Sequence, residues 1–419
     1  MKKTLLGAIG ALALALAGSA GAQVPQIPKV QSIGPADLFQ DVVGGNPSAG
    51  NQYATAPLLG NYASSLPGNN AENDLIGGDF GQNLYQDGAT VSTITTTATY
   101  VAEQWAAFSG TSTTIGGAEE TGATDIPTSY TASERITRTG AGVIQACVAQ
   151  IIPSQNVTRY QGQTAEVDFH ALAGSGFSAA SSNLTVTMVT GTGTNDTMAN
   201  LAKTINSALS GTAWAGAVVN SVSVPITTNW QRYTAAFPIA TSATEAAVAL
   251  CWTPVGASPS SDYFEFTGAQ VTPNTALTAL AGSAGAYIGA NDARAKAFLR
   301  RIYSEEYALQ LSFYYRQNES TANVYGVCQE TASTTANCFM TFPVPMFKTP
   351  TLAFTAGGIS ATLGTSQAAV AVTGLTIPSN GATAYGSQLA ATAASGFTAL
   401  TGFLEGTTTT GKIAFSARF

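Results

Sequence analysis

The sequence predicts an all-β protein, in which an antiparallel jelly-roll sandwich is followed by a smaller C-terminal β domain and a short helix joins the two. Between residues 73 and 274, short runs of β-branched and aromatic residues are separated by Gly, Asn and Pro, as in antiparallel sandwiches. Similar runs return after Tyr315. Between these regions, "RIYSEEYALQLSFYYR" at Arg301–Arg316 concentrates charge, aromatic residues and helix formers, which favours a helix.

The composition limits the functional classes. The chain has 419 residues, of which 45% are hydrophobic and 9% are charged, so it is long enough for two or three domains and too apolar to be disordered. The formal net charge is -7 with only 16 Lys and Arg residues, whereas sequence-independent binding to nucleic acid requires many basic contacts to phosphate. We therefore expect no nucleic-acid partner.

The N-terminal part contains a targeting segment and an arm. Residues 1–22 have the layout of a secretory signal peptide, because two lysines precede an apolar run that ends in the small residues "AGA". This layout predicts a secreted or extracellular protein; the alternative is an Ala-rich helix that stays in the mature protein and is buried in an assembly. Residues 23–72 are rich in Pro, Gly, Asn and Ser without any regular period, which predicts an extended arm or linker.

The jelly roll is predicted for residues 73–274. One interruption, "TMANLAKTINSALSG", predicts a short helix inset between two strands. The runs that predict strands are "ATVSTITTTATYVAEQWAAF", "AGVIQACVAQII", "QTAEVDFHALA", "SNLTVTMVTG", "SVSVPI", "QRYTAAFPI", "EAAVALCWTPV" and "DYFEFTGAQV".

Three further segments complete the predicted organisation. Residues 275–296 are of low complexity and predict a linker. Residues 297–318 predict a connecting strand and a helix from Ser304 to Arg316, with Ser304 as its N-cap and acidic residues in its first turn. Residues 319–419 then predict the C-terminal β domain.

The four cysteines suit an exported chain and predict two disulfides. Cys328 and Cys338 are close enough to close a hairpin, and Cys147 and Cys251 are placed to bridge two strands of one sheet. Four cysteines allow three connectivities, and these two local pairs are favoured. Metal binding is the weaker interpretation, because no CxxC spacing occurs and the single histidine, His170, has no partner at ligand spacing.

An ordered set of segments carries a family resemblance. "NDLIGGDFGQNLYQDG", "TRTGAGVIQACVAQII", "TAEVDFHALA", "TTNWQRYTAAFPI" and then "AFLRRIYSEEYALQLSFYYR" resemble, in order and spacing, phage tail-fibre and virion surface proteins. Members of that family carry a jelly roll like a carbohydrate-binding module, a helix resembling EELALCQRYY and a small β domain. The resemblance implies a virion-surface, receptor-binding protein that binds cell-surface carbohydrate and associates with other virion subunits as a homo-oligomer. A secreted bacterial adhesin of phage-like ancestry is the alternative.

The same resemblance raises the question of a structural Ca2+. In related jelly rolls, an Asp-Phe segment in the first strand helps to hold calcium, and Asp79 matches that position. However, Gly268 and Ala269 stand where the paired acids of the last strand are expected. Asp79 is therefore the one candidate metal ligand.

Catalysis has little support in the sequence. A hydrolase triad requires a histidine base, and His170 in "VDFHALAG" shares a strand face with Asp168. No nucleophile can be identified among the many Ser and Thr residues. We therefore predict no catalytic residue and a protein that is not an enzyme.

Sugar binding needs an exposed aromatic side chain, and Trp214 is the candidate. It follows the inset helix in "SGTAWAGA", a segment that predicts a loop. The alternative is that Trp214 folds back to cover the inset helix. Trp105 and Trp230 are predicted to lie in the core.

Overall fold

The computed structural model describes two separate units, Met1–Asn69 and Asn70–Phe419. In the first unit, the described residues are β1 (Phe39–Asp41) and β2 (Gln52–Ala54), which pair antiparallel. The predicted signal peptide and the rest of the predicted arm lie outside the described residues. The described ranges are 39–41, 52–54, 73–121, 126–194, 197–256, 260–317, 324–355, 359–363, 370–379, 381–393, 401–406 and 412–419.

The larger unit begins with an antiparallel jelly-roll sandwich of two sheets. One sheet has seven strands in the order β15-β12-β9-β14-β7-β6-β3, and the other has six in the order β11-β10-β13-β8-β5-β4. These strands are β3 (Thr90–Ile94), β4 (Thr99–Tyr100), β5 (Ala106–Ser109), β6 (Ile115–Thr121), β7 (Ala132–Arg138), β8 (Ala146–Ile152), β9 (Thr164–Ala173), β10 (Asn183–Gly191), β11 (Val218–Pro225), β12 (Gln231–Pro238), β13 (Glu245–Trp252), β14 (Tyr263–Pro273) and β15 (Ala286–Ala290).

The core of the sandwich lies between the two sheets and is rich in aromatic rings. The ring of Phe266 packs edge-on against Trp105, with centroids 5.1 Å apart, and against Phe80, with centroids 4.9 Å apart. All three side chains are fully buried, as predicted for Trp105. Trp230, also predicted to be in the core, is only half-buried, because it precedes β12 in the turn that leads into that strand.

Short helices occur in the connections. In the described ranges these are α1 (Ser154–Val157), α2 (Met198–Ile205), α3 (Thr278–Ala281), α4 (Tyr303–Phe313) and the 3-10 helices Thr158–Tyr160, Ala180–Ser182 and Thr275–Leu277. The predicted inset helix is α2, whose N-cap Thr197 accepts a hydrogen bond from the Asn200 N–H. None of the described helices is long and apolar enough to cross a membrane.

The predicted linker at 275–296 is instead part of the sandwich. It contains a 3-10 turn, α3 and strand β15, which pairs antiparallel with β12 at the edge of the seven-stranded sheet. The Ala- and Gly-rich sequence has low strand propensity, but the open edge of β12 supplies hydrogen-bonding partners for its backbone.

The helix α4 is shorter than predicted. It begins after the N-cap Ile302, which makes no side-chain capping bond, so Ser304 is not the cap. It ends at Phe313, because Tyr314–Arg316 form strand β16 and pair with Ala414–Ser416 instead of continuing the helix.

The C-terminal domain is a second, smaller antiparallel sandwich. Its sheets have the orders β16-β25-β19 and β21-β20-β24-β17-β18-β23-β22, and its own core includes Leu389, Leu404 and Phe415. The remaining strands are β17 (Val324–Ala332), β18 (Thr335–Thr341), β19 (Thr351–Thr355), β20 (Ile359–Leu363), β21 (Val370–Ala371), β22 (Gly374–Thr376), β23 (Gly386–Thr392), β24 (Thr401–Gly406) and β25 (Lys412–Ser416).

A polar face of α4 is fixed to the first residues of the jelly roll. Glu306 accepts a hydrogen bond from the Gly77 N–H at 2.5 Å, and Gln310 accepts one from the Leu84 N–H at 2.8 Å. Glu306 and Gln310 are one helical turn apart, so both side chains lie on the same face. Both side chains are buried, and their hydrogen bonds to the jelly roll explain why polar residues occupy buried positions in this helix.

A buried arginine makes a second connection between the two sandwiches. The Arg418 guanidinium donates hydrogen bonds to Glu103 at 2.9 Å and to Asp87 at 2.5 Å. It also lies over the ring of Tyr314, 3.8 Å from the centroid. Only 4% of the Arg418 side chain is exposed, so the ion pair is shielded from solvent.

Candidate functional site

Both predicted cysteine pairs are confirmed as disulfides. Cys147 and Cys251 lie directly opposite each other on β8 and β13, with Cα atoms 4.0 Å apart. Cys328 and Cys338 are opposed in the same way on β17 and β18, with Cα atoms 3.9 Å apart. Each bond therefore joins two neighbouring strands of one sheet.

The structure corrects the prediction that Trp214 is an exposed anchor. Its side chain is only 3% exposed and packs on the outer side of the six-stranded sheet, in a cluster with Leu201, Ala202 and Leu209. The backbone N–H of Trp214 donates to the Thr204 hydroxyl at 2.8 Å, which ties the loop to α2. A ring in this position cannot stack on a sugar, so the alternative interpretation, a tryptophan that covers the inset helix, is the one that fits.

The surroundings of Asp79 do not fit calcium. Its carboxylate forms an ion pair with Arg300 at 2.9 Å, and the described residues contain no group of three or more His, Cys, Asp or Glu side chains that could hold a metal ion. Calcium requires six or more oxygen ligands. Here the guanidinium provides the positive charge next to Asp79, while the neighbouring Gly268 and Ala269 contribute no carboxylate.

His170 and Asp168 lie on the outer face of the seven-stranded sheet of the jelly roll, and they do not form a catalytic triad. Burial lowers the pKa of His170 to about 4, and in the described part of the chain its Nδ1 atom has no hydrogen-bond partner. The hydroxyl of Thr267, which lies opposite His170, donates to the Ala132 carbonyl at 2.9 Å. Asp168 binds Arg232 at 3.0 Å, and its burial beside Glu166 raises its pKa to about 8. No nucleophile is therefore aligned with the imidazole among these neighbours.

A chain segment covers this part of the sheet. The Lys296 N–H donates to Glu166 at 2.8 Å, while the side chain of Gln270 donates to the Lys296 carbonyl at 3.0 Å and accepts from the Leu299 N–H at 3.0 Å. These bonds hold residues 294–299 across β9 and β14, so a ligand does not reach the acidic side chains beneath them.

An exposed apolar row lies on the outer face of the seven-stranded sheet in the C-terminal domain. Val327 on β17 is paired with Phe403 on β24 at one side and with Phe339 on β18 at the other. The exposed fractions are 54% for Val327, 50% for Phe403 and 54% for Phe339. Side chains paired directly across an antiparallel sheet point to the same face, so the three form one continuous strip.

Amide side chains flank this row. Gln388 on β23 is paired with Phe339, and in the adjacent row Gln329 on β17 is paired with Asn337 on β18. Residues two apart on a strand share a face, which places these amides beside the rings. We call Phe403, Val327, Phe339, Gln388, Gln329 and Asn337 the aromatic face. None of its side chains is charged.

The aromatic face combines two kinds of contact. Phenylalanine rings offer flat apolar surfaces, and amides both donate and accept hydrogen bonds. These are the contacts suited to a ligand with C–H faces and hydroxyl groups and no charge. The face is hard to recognise from the sequence, and one signal points to it: if Cys328 and Cys338 point inward, their neighbours Val327 and Phe339 must point outward.

Comparisons with known proteins concern the fold alone. No known family and no curated protein matches the sequence. A domain of tailspike protein 4 from bacteriophage CBA120 is similar at 10% identity with a TM-score of 0.29, over 48% of this chain and 21% of the tailspike chain. The family 11 carbohydrate-binding module of a Clostridium thermocellum cellulase is similar at 9% identity with a TM-score of 0.26, over 41% of this chain and 88% of the module. The same kind of module in complex with a mixed-linked tetrasaccharide gives 10% identity and a TM-score of 0.25. The chain spans about a fifth of the tailspike chain.

Proposed function

We propose that this chain is a non-enzymatic structural and receptor-binding protein of a phage virion or tail, a fibre or surface decoration, that binds cell-surface glycan through the aromatic face. The observation that carries the proposal is the row of Phe403, Val327 and Phe339. The sequence resemblance to virion surface proteins supports the same class.

The exposure of the row favours a ligand. Three large apolar side chains, each at least half exposed and aligned on neighbouring strands, form a patch of the kind that marks an interaction surface. Adjacent strands are about 4.8 Å apart, so the two rings are separated by roughly 10 Å. That separation is comparable to the length of a disaccharide unit, so a glycan laid across the strands would contact both rings.

The six side chains that define the aromatic face are neutral, which favours glycan over nucleic acid or an acidic ligand. The protein has a formal net charge of -7, which repels anions at long range. Neutral sugars are insensitive to that repulsion, and their hydroxyls can exchange hydrogen bonds with Gln329, Asn337 and Gln388.

Substitution of the two rings tests the proposal. Phe339→Ala and Phe403→Ala should each weaken binding to a glycan array or to cells at least about tenfold, which corresponds to roughly 1.4 kcal/mol. Their thermal midpoints should stay close to that of the parent, because both rings are half exposed. Leu280→Ala, at a 41% exposed position on α3, is the matched control and should bind normally. A double Phe variant that is folded and binds as well as the parent would refute the assignment.

We also propose that the protein assembles as a homo-oligomer beside other virion or surface subunits. Ile302, Tyr303 and Tyr307 are 57%, 58% and 39% exposed on the outer side of α4, and the two Tyr rings lie 5.7 Å apart. Such a cluster suits a subunit contact, and repeated subunits would raise the avidity for glycan. Tyr303→Ala with Tyr307→Ala should shift the sedimentation coefficient towards the monomer. A parent protein that sediments as a monomer at every concentration would contradict the assembly.

The second candidate is a secreted bacterial adhesin or surface carbohydrate-binding protein. The signal-like layout of residues 1–22 favours it. Mass spectrometry of the N-terminus of the natural protein separates the two. Removal of residues 1–22 supports export from a cell, whereas their retention in purified particles supports the virion.

A further inference from the structure

A cleft opens at one side of the C-terminal sandwich, away from the aromatic face. It lies where β19, the edge strand of the three-stranded sheet, approaches β22, the edge strand of the seven-stranded sheet. Its volume is about 620 Å³, which falls within the usual range for small-molecule sites.

The lining of the cleft combines aliphatic side chains and polar groups in similar measure. The cleft borders the core of the C-terminal sandwich: Leu375 belongs to that core, and Leu352 and Ile377 pack against it. The edge of the core is therefore open to the cleft. The exposed Thr351 and Thr376 contribute hydroxyls. Among the described residues that line the cleft, none is charged. The chemistry therefore suits a neutral molecule that carries both hydroxyl groups and a small apolar group.

The cleft is within reach of a ligand bound at the aromatic face. Thr376 is paired with Ala390, which is paired with Asn337 of the aromatic face. Two strand spacings, roughly 10 Å, thus separate the rim of the cleft from that face. An oligosaccharide longer than a disaccharide would reach from one to the other.

We propose that the cleft binds a deoxyhexose residue of the glycan, with its exocyclic methyl group against Leu352 and Leu375 and its ring hydroxyls at Thr351 and Thr376. A hexose with a hydroxyl at that carbon fits less well, because the hydroxyl would lose water and face aliphatic side chains without a hydrogen-bond partner. The choice of ligand class rests on the proposed function, whereas the site itself is tested with a single sugar.

The matched probes are methyl fucoside and methyl L-galactoside, which differ by one hydroxyl group on the exocyclic carbon. We expect methyl fucoside to bind weakly, on the order of millimolar, as is usual for a small ligand with few contacts. It should shift the methyl NMR signals of Leu352, Leu375 and Ile377, and the galactoside should bind at least about tenfold more weakly.

Two variants locate the site. Ala382→Phe places a ring in the cleft, where Ala382 forms part of the lining, and should abolish the shifts. Leu280→Phe, at an exposed position on α3 of the jelly roll, is its control and should retain them. Thr376→Val keeps the shape of the side chain and should weaken both probes, so a folded variant is available even if Ala382→Phe is unstable.

The outcomes separate this inference from the proposed function. Shifts at the cleft that persist in Phe339→Ala support it, even if the glycan array shows no binding at the aromatic face. Shifts confined to signals around Phe339 and Phe403, equal binding of the two probes, or no shifts in the millimolar range would each overturn the deoxyhexose site and leave the aromatic face untouched.

Discussion

The side chain of Trp214 stabilises the protein through its burial, since its indole N–H has no hydrogen-bond partner among the described residues. The ring fills the space between α2 and the six-stranded sheet, and its edge approaches Gly191 so closely that a Cβ atom there would lie 3.2 Å from the indole. The Glu245 carboxylate would lie closer still, at 2.8 Å, so a larger residue at the end of β10 would displace Glu245 and press on the ring.

Trp214→Ala should lower the free energy of unfolding by about 3 to 5 kcal/mol, because it empties a buried aromatic site. Glycan binding by the folded variant should be unchanged. Trp230→Ala, at a half-buried position, is the control and should lose distinctly less. Chemical denaturation measures both, and a loss for Trp214→Ala no greater than that for Trp230→Ala would argue against this packing role.

Asp168 and His170, on the outer face of the seven-stranded sheet of the jelly roll, make the stability depend on pH in opposite directions. The raised pKa of Asp168, about 8 against the usual 3.8, means that the folded state holds a proton that the unfolded chain releases, so stability falls as pH rises between these values. The lowered pKa of His170, about 4 against the usual 6.5, makes stability rise with pH between 4 and 6.5. The two effects oppose each other below pH 6.5, and only that of Asp168 remains above it.

We therefore expect the thermal midpoint to fall between pH 6.5 and 8, and to fall less steeply in Asp168→Asn. The buried Glu134, whose pKa is also well above its usual value, contributes a decline of the same sign, so some slope should remain. His170→Gln should leave the slope above pH 6.5 unchanged and make it more negative below. An Asp168→Asn variant with the slope of the parent would contradict the assignment.

At the level of strands and helices, each disulfide joins two strands that are already neighbours. The bonds differ in the length of chain that they enclose, 104 residues for Cys147–Cys251 and 10 for Cys328–Cys338. Closing a longer loop removes more entropy from the unfolded chain.

Replacing each cysteine pair by alanines should separate these contributions. The chain-entropy estimate is about 4 to 5 kcal/mol for Cys147–Cys251 and about 2 to 3 kcal/mol for Cys328–Cys338. Denaturation under non-reducing conditions measures both, with the fully reduced parent as reference. Equal losses for the two pairs would show that loop length does not govern their effect.

The sequence predicts strands well where apolar and polar residues alternate strongly. It predicts them poorly where a segment becomes a strand only because it pairs with another strand elsewhere in the chain. In β14, Phe264 and Phe266 alternate with polar residues and both lie in the core. β15 was missed because "AYIGA" has little β propensity and relies on the edge of β12. Tyr314–Arg316 was assigned to the helix because its partner strand lies about a hundred residues further along the chain. The aromatic face was missed for a related reason, since its row forms only when three separate strands come into register.

On the scale of the whole molecule, the two sandwiches have separate cores and share a polar, buried junction. Arg418 is the cation that offsets the charge of Glu103, whose side chain is only 1% exposed. Removal of one partner leaves the other charge buried without compensation. That the two sandwiches are distinct folding units remains a prediction from the sequence.

Arg418→Ala should lower the free energy of unfolding by about 3 to 5 kcal/mol, because Glu103 and Asp87 lose their shared cation. Differential scanning calorimetry should then show two transitions more widely separated than in the parent. Arg294→Ala, which removes a solvent-exposed pair with Asp292, is the control and should change little. If Arg418→Ala unfolds like the parent, the junction does not couple the sandwiches.

The pairing of β16 with β25 brings the two ends of the intervening segment of the C-terminal sandwich close together. The chain leaves β16 at Gln317, whose N–H donates to the Ile413 carbonyl at 3.0 Å as the chain returns along β25. Segments whose ends meet in this way tolerate exchange for others of different length. A chimera that replaces residues 318–411 with a foreign β domain should therefore still fold if the new domain pairs a strand with β25, as β19 does, and covers Phe415. Failure of such a chimera to fold would contradict this view. Because α4, β16, β25 and Arg418 all lie outside the exchanged segment, the Arg418 junction is kept, and under the proposed function the exchange gives the protein a new ligand without a change at that junction.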